Sequence, residues 1–126
     1  MRILLDTHIV LWLLAGSKRI KPIKNIILNE HNEIYISTAS WWELAIKINI
    51  NKFDGDLKEI RKASKESGFI ELPITGEHTE TLLQLPPIHK DPFDRILVSQ
   101  AITEPMKLMT ADNKLENYSE LIWKIK

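Results

Sequence analysis

Short apolar runs alternate with longer segments of helical periodicity along the chain. Runs rich in leucine, isoleucine and aromatic residues predict five strands, at residues 2–5, 34–36, 69–72, 107–110 and 121–125. Apolar spacings of three and four residues, bounded by capping residues, glycines and prolines, predict helices at residues 7–15, 18–29, 41–47, 56–65, 75–85 and 92–103. Such alternation is typical of βαβ units, so the sequence predicts an α/β fold with a mainly parallel sheet covered by helices on both faces.

The length and composition predict one globular domain spanning residues 1–126. Hydrophobic residues make up 44% of the chain and charged residues 27%, which are ordinary proportions. The sequence contains no cysteine, which excludes disulfide bonds and zinc sites built on thiolates. No apolar run approaches the roughly 20 residues of a membrane-spanning helix, so we expect a cytoplasmic protein that does not associate with membranes.

The charges balance to a net charge of zero but are unevenly distributed. Residues 1–65 carry 11 basic and 7 acidic side chains, whereas residues 66–126 carry 6 basic and 10 acidic ones. A zero net charge gives no broad electrostatic attraction for nucleic acid. The asymmetry fits a basic face beside an acidic pocket, complementary surfaces in a dimer, or simply an uneven solvated surface.

Acidic residues occur at several junctions between predicted strands and helices. Asp6 directly follows the first strand, Asp112 follows the fourth, and Glu43 lies one turn into the helix after the second. Asp91 stands at the predicted N-cap of the helix at residues 92–103, and Asp94 lies in its first turn. Ligands of open α/β sheets bind beyond the carboxyl ends of the strands, so these acids are expected to converge there.

Each of these acids also has an ordinary structural explanation. Asp6 and Asp112 fit helix N-caps, worth roughly 1 kcal/mol each, and Ser40 with Glu43 matches a capping box. Together, however, the acids would repel one another in a partly buried pocket, and no Lys or Arg in these motifs is an obvious shared counter-ion. A divalent cation would relieve the repulsion. Oxygen ligands suit Mg²⁺ first and Mn²⁺ second, and such ions favour phosphodiester chemistry.

Four separated motifs, in this order, resemble the PIN-domain ribonucleases and, within that family, the VapC-like toxins of toxin–antitoxin pairs. The motifs are Leu4-Leu5-Asp6-Thr7-His8, Ser40-Trp41-Trp42-Glu43, Asp91-Pro92-Phe93-Asp94-Arg95 and Leu108-Met109-Thr110-Ala111-Asp112. Each motif alone is weak. Their order and spacing over essentially the whole chain make the resemblance specific.

The resemblance implies a three-layer α/β/α domain with a central, mainly parallel sheet of about five strands. It implies a Mg²⁺ or Mn²⁺ site formed by Asp6, Glu43, Asp94 and Asp112, with the Thr110 hydroxyl orienting a carboxylate or a water. The implied reaction is endonucleolytic hydrolysis of RNA by a metal-activated water. The implied partners are the RNA substrate, a cognate antitoxin protein and a second copy of the chain in a homodimer.

Three further residues of these motifs each have two possible roles. Asp91 either joins the metal site through water or only caps its helix. Arg95 either clamps a phosphate of the substrate or pairs with a neighbouring carboxylate, and His8 either touches substrate phosphate or is a polar surface residue.

Two alternatives to a ribonuclease are an inert PIN-like scaffold that binds RNA or a protein, and a different α/β phosphotransfer domain. Intact acids argue against the first, because an inert copy has no reason to retain their repulsion. The Asp6-Thr7-His8 segment lacks the Asp-x-Asp of haloacid-dehalogenase-like phosphatases, which argues against the second.

Overall fold

A computed structural model of the chain, describing residues 1–125, contains a single five-stranded sheet. Its strands are β1 (Arg2–Leu5), β2 (Glu33–Ser37), β3 (Ile70–Leu72), β4 (Lys107–Thr110) and β5 (Ile122–Lys124). They lie in the order β3-β2-β1-β4-β5, and every neighbouring pair is parallel. The predicted five-stranded parallel sheet is therefore confirmed.

Helices connect the strands and cover both faces of the sheet. They are α1 (Thr7–Ala15), α2 (Lys24–Leu28), α3 (Thr38–Asn49), α4 (Leu57–Glu66), α5 (Gly76–Thr81) and α6 (Pro92–Thr103), with 3₁₀ turns at Lys18–Ile23, Leu82–Gln84 and Asn113–Tyr118. The prediction of one continuous helix over residues 18–29 was wrong. Pro22 lies in this segment and lacks a backbone N–H, and the chain forms a 3₁₀ turn there before α2 begins. None of the helices described between residues 1 and 125 has the length and apolar character needed to cross a bilayer.

Alternating residues of β1 connect the two halves of the core. Ile3 and Leu5 pack with residues of α1 and α3 on one face of the sheet. Leu4 packs with residues of α6 on the other face, among them Leu97. All of these side chains are fully buried, as period-two alternation in a sheet covered on both sides requires. The three-layer α/β/α architecture is thus confirmed.

Parallel pairing brings the carboxyl ends of all the strands to one edge of the sheet. The neighbouring strands β1 and β4 end at Leu5 and Thr110, so Asp6 and Asp112 emerge side by side. The Asp6 backbone N–H donates to the Met109 carbonyl at 2.9 Å, which continues the ladder between the two strands past Leu5. This edge is the predicted location of the functional site.

His78 anchors α5 to the core at the end of the domain where α6 finishes. Its ring is fully buried: Nδ1 accepts the Thr75 backbone N–H at 2.9 Å, so Nε2 carries the proton and donates to Glu104 at 2.5 Å. Replacing His78 by alanine is expected to lower the free energy of unfolding by about 2–4 kcal/mol, because it leaves a cavity and unpaired polar groups. Urea unfolding measures this loss. The matched change at exposed His31 should move stability by less than about 0.5 kcal/mol.

Candidate metal centre at the carboxyl edge of the sheet

Asp6 is the most deeply buried acid at this edge, with only 1% of its surface exposed. Its Oδ2 accepts a hydrogen bond from the Thr110 hydroxyl at 2.6 Å, while Oδ1 is buried with no hydrogen-bond partner among the described residues. Although Asp6 occupies the N-cap position of α1, its side chain makes no capping hydrogen bond, so that prediction was wrong. Burial raises the pKa of Asp6; the Thr110 hydrogen bond, the charge of His8 and the nearby backbone N–H groups of His8 and Thr7, which lie outside hydrogen-bonding geometry, oppose the rise. An unpartnered, buried carboxylate oxygen is an incomplete arrangement that a cation would satisfy.

Thr110 connects two of the acids through its buried hydroxyl. The hydroxyl oxygen donates to Asp6 and accepts the Asp112 backbone N–H at 3.0 Å. The hydrogen bond to Asp6 favours the ionised carboxyl and fixes the orientation of its Oδ2. The structure therefore places the predicted orienting threonine against a predicted site acid.

Asp94 and Asp112 face each other across the imidazole of His89. The Asp94 Oδ2 lies 2.8 Å from His89 Nε2, and the Asp112 Oδ2 lies 3.9 Å from the same nitrogen. One donor atom from each of the three residues lies within 4.8 Å of the other two. Burial, with the nearby charge of Asp6, raises the pKa of Asp94 to about 6. The sequence reasoning assigned no role to His89, which is the functional candidate that it missed.

Asp91 caps α6, as one of its two predicted roles requires. Its Oδ1 accepts the backbone N–H groups of Phe93 at 2.8 Å and Asp94 at 3.2 Å. Its charge also contributes to the raised pKa of Asp94. Asp91 thus fixes the first turn of α6, from which the Asp94 side chain reaches the site.

Glu43 lies next to Asp91, at the side of the site formed by α3. Burial raises its pKa, a hydrogen bond from the Thr7 hydroxyl opposes this, and the charge of Asp91 raises the pKa further. The predicted capping box of Ser40 and Glu43 was wrong, because Ser40 lies inside α3 and its hydroxyl is 2.9 Å from that of Thr7. Ser37, which lies three residues before Ser40, caps the helix instead. Its side-chain oxygen accepts the backbone N–H of Ala39.

Arg95 forms no ion pair with a carboxylate of the described residues, so the second of its two predicted roles was wrong. Its guanidinium donates to the backbone carbonyl of Pro86 at 3.0 Å, to that of His89 at 3.4 Å and to the Tyr118 hydroxyl at 3.2 Å. Arg95 is therefore a structural clamp on the loop that carries His89. His8 is exposed at the second position of α1, where its charge favours ionised Asp6 and Glu43.

Replacing Thr110 by valine is expected to lower the free energy of unfolding by about 1–3 kcal/mol, because both carboxylate oxygens of buried Asp6 then lack a partner. The pKa of Asp6 should rise further. Thr110→Ser keeps the hydroxyl and should retain most of the stability. Chemical unfolding of the two variants at pH 7 makes the comparison, and equal losses in both would contradict the role of the hydroxyl.

The donor set fits a hard divalent cation. Asp6 and Asp112 supply carboxylates just after β1 and β4, Asp94 supplies one from α6, and Glu43 supplies one from α3. One Asp6 oxygen has no hydrogen-bond partner among the described residues. Carboxylate-rich sites of this kind suit Mg²⁺ and Mn²⁺. Of the four predicted acids, Asp94 and Asp112 lie within reach of one ion together with His89. Asp6 influences Asp94 through its charge, whereas Glu43 interacts with Asp91 and does not belong to this group.

The chain is similar to several known proteins. The family model described as PIN domain matches residues 3–121. Ribonuclease VapC22 of Mycobacterium tuberculosis is 24% identical over 118 residues, which cover 92% of this chain and 91% of that protein.

Two solved structures have a similar fold. The structure of VapBC2 from Rickettsia felis bound to a DNA fragment from its promoter has a TM-score of 0.74 at 18% identity, covering 97% of this chain and 96% of the other. A toxin–antitoxin complex from Klebsiella pneumoniae has a TM-score of 0.67 at 21% identity, covering 98% and 99%. At these identities the likeness establishes the fold alone.

Proposed function

The chain belongs to the PIN domain family, and on that premise we propose that it is a metal-dependent endoribonuclease acting as the toxin of a toxin–antitoxin pair. One observation carries the proposal: acids from separate elements lie at a partly buried edge of the sheet, where one Asp6 oxygen has no partner among the described residues and the pKa of Asp94 is raised to about 6. Holding ionised carboxylates this close destabilises the fold unless a cation offsets the repulsion. The similarity to ribonuclease VapC22 supports RNA as the substrate.

Asp6, Glu43, Asp94 and Asp112 would hold the ion, Mg²⁺ or Mn²⁺. A bound divalent ion would supply an activated water and neutralise charge that develops on the phosphodiester. The protein keeps the ligands in place: the Thr110 hydroxyl orients Asp6 at 2.6 Å, and the capping bonds of Asp91 fix the turn that carries Asp94. The ligands are thereby positioned before an ion arrives, so binding requires little rearrangement.

An antitoxin protein is the proposed partner. The similar structures include toxin–antitoxin complexes, and an apolar cleft of about 570 Å³, lined by Leu13, Leu28, Trp41 and Phe69 among others, supports a protein ligand on this chain. The cleft lies between α1, α2 and α4.

A homodimer is also proposed, with its contact at a surface separate from the cleft. Trp42 and Ile46 on α3 and Ile50, directly after its last residue, recur every four residues and are exposed, Trp42 by 61%. Such a row on a helix surface supports a contact between two copies of the chain.

Controlled expression in bacteria without an antitoxin tests the proposal. The parent should arrest growth and generate discrete new RNA 5′ ends within minutes of induction, whereas Asp6→Asn, produced at the same level, should do neither. Growth arrest by both proteins, without new 5′ ends, would contradict the nuclease and favour the inert scaffold that binds RNA or a protein partner.

A further inference from the structure

We propose that His89 supplies a nitrogen ligand to the metal centre, which makes the centre selective for Mn²⁺ over Mg²⁺. The inference rests on the proposed metal-dependent function and adds to it a residue from the loop before α6. Carboxylates alone would give a site of oxygen ligands; the imidazole changes its chemistry.

The spacing of the donor atoms supports a shared ion. His89 Nε2 lies 2.8 Å from the Asp94 Oδ2 and 3.9 Å from the Asp112 Oδ2. Donors bound at about 2.1 Å around an octahedral ion are about 3 Å apart when adjacent and about 4 Å apart when opposite. The two distances from His89 Nε2 are therefore compatible with ligands of one ion, and the third pair of atoms, from Asp94 and Asp112, lies within 4.8 Å.

A buried, unpartnered oxygen gives an independent indication of a ligand at this place. Asp6 is 1% exposed and its Oδ1 has no hydrogen-bond partner among the described residues. The charge of Asp6 acts directly on Asp94, which is the partner of His89. The buried Asp6 carboxylate thus adds negative charge beside the group formed by His89, Asp94 and Asp112, which a cation would offset.

The backbone of His89 is held on several sides, which fixes its place in the loop. The His89 N–H donates to the Tyr118 hydroxyl at 2.8 Å, and that hydroxyl donates to the His89 carbonyl at 3.3 Å. Arg95 donates to the same carbonyl and to the same hydroxyl. The His89 side chain is only 17% exposed. The loop therefore holds the half-buried ring of His89 beside Asp94 and Asp112.

The chemistry of imidazole determines the expected selectivity. Mg²⁺ prefers oxygen ligands and releases water reluctantly, so a nitrogen ligand at one position adds little to its binding affinity. Mn²⁺ accepts carboxylates equally well and, as a first-row transition ion, also accepts imidazole nitrogen. Carboxylates combined with one imidazole therefore favour Mn²⁺.

Metal binding to the purified protein, without partner or RNA, tests this assignment. Calorimetric titration at pH 8, where an ordinary imidazole is neutral, should give a Kd for Mn²⁺ that rises about 10- to 100-fold in His89→Ala and changes little for Mg²⁺. His31→Ala removes the same side chain at an exposed position and should match the parent. Pulsed electron paramagnetic resonance of the Mn²⁺ complex should show ¹⁴N modulation in the parent that is lost in His89→Ala and in His89→Gln.

Two results would overturn the assignment. Absence of ¹⁴N modulation from the parent complex means that the ring is not a ligand. Mn²⁺ binding that is equal or tighter in a folded His89→Ala means that the ring only neutralises the acids until an ion displaces it. In both cases the metal centre itself stands; failure of the parent to bind either ion would instead overturn the proposed function together with this inference.

Discussion

Replacing Asp94 by asparagine is expected to slow metal-dependent RNA cleavage by at least about 100-fold and to leave the chain folded. Asparagine has the same shape as aspartate but lacks its charge. The Asp94 carboxylate contacts His89 at 2.8 Å and is affected by the negative charge of Asp6. The Asp91 cap bonds to the backbone of residue 94, so α6 should begin at the same place. Initial cleavage rates of one defined RNA at saturating Mn²⁺ measure the effect.

Glu66→Gln is the matched control for the change at Asp94. It makes the same chemical change at the exposed last residue of α4, close to the amino end of β3 and therefore away from the site. Its cleavage rate should equal that of the parent. Cleavage by Asp94→Asn at the parent's rate would show that the site has been assigned to the wrong residues.

The metal-free protein is expected to lose stability as the pH rises from about 4 to about 6. The Asp94 carboxyl has a pKa of about 6 in the fold against an ordinary 3.8, so between these values the folded chain holds a proton that the unfolded chain has released. The free energy of unfolding therefore falls with pH across this window and levels off above it. A shift of this size corresponds to roughly 2–3 kcal/mol. Urea unfolding in the presence of chelator measures it.

Asp94→Asn separates this contribution from other titrations. Arg61 holds the pKa of Glu71 below its usual range, which gives the opposite slope at low pH, but that pair is the same in parent and variant. The variant should be more stable than the metal-free parent at pH 7 and about equal to it near pH 4. Saturating Mn²⁺ should stabilise the parent more than the variant. A difference between the two proteins that does not vary with pH would contradict the raised pKa.

The sheet and its central helix could be predicted because their signals are local. Helix α6 and strand β4 have the predicted bounds, since Asp91 and Pro92 mark the start of one and an apolar run defines the other. The errors have tertiary causes. Ser40 has the spacing of a cap, yet its hydroxyl contacts Thr7, 33 positions away in the sequence. No local pattern encodes such a contact.

Asp6 and Asp112 were predictable as candidates from their positions after strands, and Glu43 and Asp94 from their positions near helix starts, whereas His89 was not. It follows two consecutive prolines in an irregular loop, where apolar periodicity gives no direction for a side chain. Its placement depends on Tyr118, 29 residues later, and on Arg95, which the sequence suggested would face a phosphate or a carboxylate. A histidine two positions before a helix cap whose first turn carries an acid is the signal that could have identified it.

Cleavage of total cellular RNA by the purified, partner-free protein tests the central claim most directly. Reactions with Mn²⁺, with Mg²⁺ and with chelator are compared for the parent and Asp94→Asn, with both proteins checked for folding. The parent should make discrete cuts that require a divalent ion, and Asp94→Asn should make none. Cuts that persist in chelator, or a folded and metal-binding parent that cuts no RNA, would contradict a metal-dependent ribonuclease.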